Sequence, residues 1–134
     1  MVSNRIEKRE CERFVISGAA VHYKKDAFFH KPDYSYYSYS VSHMSKGGMD
    51  FLCDDSFDAG TKMMLKLIVP NEEPVIIKGK VVWAAVNPEK GYKYRVGVQF
   101  EPFGEKKGQN PPELHDKITA WEQKYLKTDN PQPR

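Results

Sequence analysis

Two runs decide the fold: Val75-Ile76-Ile77-Lys78-Gly79-Lys80-Val81-Val82-Trp83-Ala84-Ala85-Val86, and Tyr92-Lys93-Tyr94-Arg95-Val96-Gly97-Val98-Gln99-Phe100. Both are rich in β-branched and aromatic residues, which suit a pleated, half-buried surface. In the second run Tyr92, Tyr94, Val96, Val98 and Phe100 take one face, and Lys93, Arg95 and Gln99 the other. That period of two marks a strand with one buried side. Asn87-Pro88 and Lys90-Gly91 punctuate the segment between, so the pair forms an antiparallel hairpin.

Working outward, the same signals recur upstream. Lys62-Met63-Met64-Leu65-Lys66-Leu67-Ile68-Val69 is a strand stopped by Pro70-Asn71. Residues 49–53 make a short strand after the Gly47-Gly48 turn. In residues 34–42, Tyr37, Tyr39 and Val41 alternate with Ser38, Ser40 and Ser42, and the doubled Tyr36-Tyr37 marks a bulge. Residues 14–21 form the first strand, bulged at Gly18, and residues 24–33 a loop. Downstream, a linker over residues 101–110 leads to the one helix, at about 111–126. Asn110 is its expected N-cap, Pro111 its first helical residue and Glu113 a capping-box partner. Leu114, Ile118, Trp121 and Tyr125 share one helical face, which docks on the barrel of the same chain. The fold class is therefore all-β with one C-terminal helix, the strands closing into a β-barrel. Residues 1–8 are expected to be a flexible leader, 9–126 the domain and 127–134 a disordered tail.

Bulk properties narrow the function. The 134 residues fit one domain, and 40% hydrophobic with 29% charged residues describes a globular chain. Twenty-one basic against 18 acidic side chains leave a net charge of +3, too mild to require a nucleic acid polymer or an anionic membrane as partner. No run approaches the roughly 20 apolar residues of a membrane span, so no membrane insertion is expected. The polar start carries no signal-peptide pattern, which points to the cytoplasm and to reduced thiols at Cys11 and Cys53. No metal-ligand spacing and no nucleophile–base pair is present, so neither a cofactor nor an enzymatic role is expected.

Two short motifs remain. Arg9-Glu10-Cys11-Glu12-Arg13 places two guanidinium forks in a charge-mixed leader, and Arg5 repeats the four-residue step. Ser42-His43-Met44-Ser45-Lys46-Gly47-Gly48 is a small-residue turn with accessible backbone amides. Arginine pairs with phosphate oxygens and meets guanine bidentately or by stacking, so the two motifs suit a small molecule carrying phosphates and guanine.

The spacing and order resemble the PilZ domain, with its RxxxR and [D/N]xSxxG motifs. Gly79-Lys80-Val81-Val82-Trp83 and Tyr94-Arg95-Val96-Gly97-Val98-Gln99-Phe100 are similar to that family's late strands. The resemblance covers about residues 9–103. It implies a six-stranded antiparallel barrel of split-barrel type, and binding rather than catalysis. The implied ligand is cyclic di-GMP, which orders the arginine leader over the barrel. That change is passed to an unidentified protein effector in motility, surface attachment or polysaccharide output. The implied ligand contacts are Arg9, Arg13, His43, Ser45 and Gly48, with Arg5 as a lesser candidate. His43 departs from the family's Asp or Asn: neutral imidazole offers one acceptor, and the protonated ring none. That departure keeps a second reading open, a PilZ-like scaffold working through protein contacts alone. A third, an oligonucleotide-binding barrel, calls for a more positive charge than this chain carries.

Overall fold

The structure, a computed structural model, describes residues 12–26, 33–89 and 91–129. Its strands are β1 (Ala20–Lys25), β2 (Tyr39–Met44), β3 (Gly48–Cys53), β4 (Lys62–Ile68), β5 (Val75–Val86) and β6 (Tyr94–Phe100), followed by the helix α1 (Pro112–Asp129). All neighbouring strands run antiparallel, and they close a barrel in the order β1-β2-β3-β6-β5-β4. Alternation explains the closure. Val21 and Tyr23, Met49, Phe51 and Cys53, Met63, Leu65 and Leu67, and Val96, Val98 and Phe100 all turn inward, with Ile77 and Val81 of β5. Leu114, Ile118 and Trp121 of α1 join this same core, so the helix docks on its own barrel as its apolar face requires.

The first strand starts later than the sequence pattern suggests. Gly18 takes φ of +84°, and the Ala19 N–H donates to the Ile16 carbonyl at 3.1 Å, so Ser17-Gly18 is a turn and not a bulge. Before that turn, Phe14 exchanges both backbone hydrogen bonds with Met44, at 2.7 and 2.9 Å. The chain therefore reaches the barrel along the end of β2. The strand expected at residues 34–42 also begins late, at Tyr39. Ser35 is the reason: its N–H donates to the Tyr23 carbonyl, its Oγ accepts from the Tyr23 N–H, and its hydroxyl donates to the Tyr37 carbonyl. A side chain thus replaces part of the ladder, and Tyr36 and Tyr37 stand exposed beyond it.

Asn110 does not cap the helix with its side chain. Its Oδ1 accepts from the Lys78 N–H at 2.8 Å, and its Nδ2 donates to the carbonyls of Lys78 at 3.0 Å and Glu101 at 2.9 Å. The side chain acts as a short piece of strand along β5, and it is 1% exposed. The helix begins at Pro112 and runs past the end expected near 126, to Asp129. Asn110→Ala takes this partner from the Lys78 N–H and the Glu101 carbonyl, while the Lys78 carbonyl keeps the Glu101 N–H at 2.9 Å, and each such loss costs about 1–3 kcal/mol. Some of that is recovered by relaxation, so urea unfolding should show a loss of about 2–4 kcal/mol; a loss below about 1 kcal/mol refutes the assignment.

Cys53 is buried, and its thiol donates to the Asp55 carbonyl at 3.1 Å. Burial pushes that thiol up from 9.0 to about 11. Burial, reinforced by its hydrogen bond to Asp55, raises the Tyr23 phenol as well. Both groups are neutral when protonated, so both favour the folded state fully below their unfolded values. Stability should hold below pH 9 and fall as the pH climbs from 9 through 11. Urea midpoints measured across that interval test this, and a flat profile contradicts it.

Candidate ligand-binding site

The site is built by two bulges. Between β2 and β3 the register passes from Val41↔Phe51 to His43↔Asp50, so Ser42 is the extra residue. Between β5 and β6 it passes from Val81↔Val98 to Trp83↔Gly97, so Val82 is the extra residue. Without these insertions, strict alternation turns His43 and Trp83 into the barrel. With them, both point outward while Met44 and Val81 stay in the core. Asp50 and Gly97 pair directly across β3 and β6. One outward row therefore crosses four strands in the order His43, Asp50, Gly97, Trp83.

That row floors a groove of about 150 Å³, lined also by Arg13, Ser45, Gly48 and Val82. Arg13 arrives there because Phe14, its neighbour, is buried and bridged to Met44. Ser45 opens the turn: its N–H donates to the Gly48 carbonyl at 2.8 Å, and its Oγ accepts from the Gly47 N–H at 3.1 Å. The hydroxyl proton remains available to a ligand. Lys46 of the same turn pairs with Glu122 of α1 at 3.5 Å. Gly48 has a structural reason to be glycine. A Cβ there would collide with the Val98 carbonyl oxygen, so the residue sets how closely β3 approaches β6.

Asp50 is 7% exposed, and its Oδ1 accepts from the His43 N–H at 2.9 Å and lies 3.3 Å from His43 Nδ1. Trp83 is 41% exposed, and its indole lies across Gly97, where an added Cβ would collide with the ring. The groove therefore offers a flat aromatic face, a guanidinium, a hydroxyl and an imidazole. Among the described residues no group of three or more His, Cys, Asp or Glu is placed to hold a metal ion.

Of the residues singled out in the sequence, Arg13, His43, Ser45 and Gly48 line this one groove. Arg5 and Arg9 lie outside the described residues. Sequence reading gave no site role to Asp50, Trp83 or Gly97. The pairing of a tryptophan with a glycine on adjacent late strands was the available signal, but the bulge that aligns them is a cross-strand property. His22 and His115 take structural places: His22 Nδ1 sits 2.8 Å from the Ser35 carbonyl, and the His115 ring packs on Phe103.

Residues 7–110 match the PilZ domain family. The chain belongs to that family. No curated protein sequence matches it significantly. Among solved structures, the inhibitor of motility MotI/DgrA of Bacillus subtilis aligns with a TM-score of 0.67 and 13% identity, over 97% of this chain and 55% of that one. The PilZ domain of YcgR from Escherichia coli, solved with c-di-GMP, aligns at 0.63 and 11% identity, over 90% and 93%. The MrkH–c-di-GMP complex from K. pneumonia aligns at 0.60 and 13% identity, over 90% and 52%. This chain thus spans about half the length of MotI and MrkH. These likenesses establish the six-stranded PilZ barrel with its helix as the fold.

The seat of Trp83 can be tested in this PilZ domain without any ligand. Gly97→Ala should leave the barrel folded but displace the indole, costing about 1–3 kcal/mol as overpacking does. In a Trp121→Phe background, the emission of Trp83 should shift to the red. Unchanged emission with unchanged stability contradicts the contact.

Proposed function

We propose that this PilZ domain is a receptor for cyclic di-GMP that binds on the groove of Arg13, His43, Ser45 and Trp83, and relays binding to a protein effector. The observation that carries this reading is the convergence of the two motifs. Arg13 from the leader and His43, Ser45 and Gly48 from the β2–β3 turn line one cavity, although distant in the chain. The chemistry matches the ligand. A guanidinium pairs with phosphodiester oxygens, and a guanine stacks on an indole, a contact worth about 1–3 kcal/mol per base.

The groove, about 150 Å³, is smaller than the roughly 300–1,000 Å³ of enclosed small-molecule sites. A cyclic dinucleotide therefore rests across it and presents an outer face. Arg9, and secondarily Arg5, are proposed to reach that outer face from the leader. The role is binding without catalysis, in the cytoplasm, with motility, surface attachment or polysaccharide output as the regulated process. The names of the structural neighbours, an inhibitor of motility and two c-di-GMP-bound PilZ proteins, support this direction.

The scaffold reading draws on a different observation. The far end of β5 exposes Val82, Ala84, Ala85 and Val86, the last to 75%, a strip suited to protein contact. Calorimetric titration with cyclic di-GMP separates the two. Saturable binding is expected, weakened at least tenfold by Arg9→Ala and by Arg13→Ala, since a charge-assisted bond contributes about 1.5–3 kcal/mol, and about five- to hundredfold by Trp83→Ala, since a stacked base contributes about 1–3 kcal/mol. Absence of heat from the parent protein rejects the receptor and leaves the scaffold.

A further inference from the structure

To recognise the N1–H and N2–H donors on the Watson–Crick edge of guanine, the groove needs a hydrogen-bond acceptor. Arg13 only donates, and the Trp83 indole N–H only donates. The Asp50 carboxylate is the obvious acceptor, but Asp50 is only 7% exposed, and its Oδ1 already receives the His43 N–H at 2.9 Å and lies 3.3 Å from His43 Nδ1. A carboxylate accepts and does not donate, so the proton between Nδ1 and Oδ1 belongs to Nδ1. A neutral ring protonated on Nδ1 carries its lone pair on Nε2. No hydrogen bond among the described residues engages Nε2, and the ring is part of the groove wall.

We propose that Asp50 is a positioning residue that fixes the tautomer of His43, so that Nε2 accepts a hydrogen bond from the guanine N1–H or N2–H of the bound dinucleotide. The inference rests on the cyclic di-GMP reading above and adds the residue pair that selects the base. Asp50 acts through His43 and does not itself touch the ligand. An imidazole nitrogen thereby takes the place of a side-chain oxygen as the acceptor. The charged groups facing the ring are Asp50 from β3 and Arg13 from the leader, while β5 and β6 present Val82, Trp83, Gly97 and Val98, which do not titrate.

Two measurements test this. The first uses the parent protein alone: two-bond proton–nitrogen correlation spectra of the imidazole in neutral solution should show Nδ1 protonated and Nε2 bare. A proton on Nε2 with Nδ1 bare overturns the proposal. The second is calorimetric titration with cyclic di-GMP. Asp50→Ala should weaken binding roughly tenfold, the worth of one base contact. Asp50→Asn, whose amide oxygen can still accept from the His43 N–H and from Nδ1–H, should bind within a few-fold of the parent, as should His43→Gln, which keeps an acceptor. Parent binding that survives Asp50→Ala unchanged, or an equal loss in Asp50→Asn and Asp50→Ala, overturns the positioning role alone. No binding by the parent overturns the receptor reading together with it.

Discussion

The seat of the Trp83 indole on Gly97 is the constraint on which the groove depends. Any side chain at position 97 would occupy the space that the ring fills, and the ring would have no flat surface to lie on. With glycine there, the indole spans from β5 across β6 toward Asp50 on β3, and one of its faces stays open. Gly48 acts in the same way one strand further on, letting β3 close against the Val98 carbonyl. A polar surface pocket thus emerges from backbone proximity, and the barrel core beneath it stays unbroken: Met44, Met49 and Val98 are all buried.

The opposite wall is set by electrostatics. Asp50 is nearly enclosed, and among the described residues both hydrogen bonds of its side chain go to His43. A buried carboxylate holds its partners firmly, because leaving it unpaired is costly. The consequence is a histidine with one defined orientation on a surface where free side chains usually roam. Arg13 completes the set through a backbone tie: Phe14 is anchored to Met44, and the guanidinium is carried one residue beyond that anchor. The turn between these walls also touches α1 through Lys46 and Glu122, a part-exposed pair of modest worth on its own. It nonetheless places the helix in direct contact with the motif that faces the ligand.

Much of this was legible in the residues. The strands β3 to β6 and the barrel class follow from alternation, because each of those strands buries one face and a period of two leaves little choice. The helix face follows from Leu114, Ile118 and Trp121 in the same way. The departures share one physical origin, competition from side chains and cross-strand pairing that no local window contains. Ser35 takes over the backbone of Tyr23 and delays β2. Asn110 has every property of an N-cap, yet it finds a better partner in Lys78, thirty-two positions away along the chain. In the site, the two motifs pointed to Arg13, His43 and Ser45, but the row that joins His43 to Trp83 depends on where Ser42 and Val82 fall out of register. A bulge is a property of two strands together, and a single strand does not announce it.

Those two irregularities carry an evolutionary consequence. Each is one residue long, so losing a single codon at Ser42 or at Val82 would restore a regular ladder and reverse the sidedness of the residues beyond it. The barrel would have to swallow an imidazole or an indole, or else shift a whole strand. Substitution can therefore remodel the groove residue by residue, whereas length change in these strands can only abolish it.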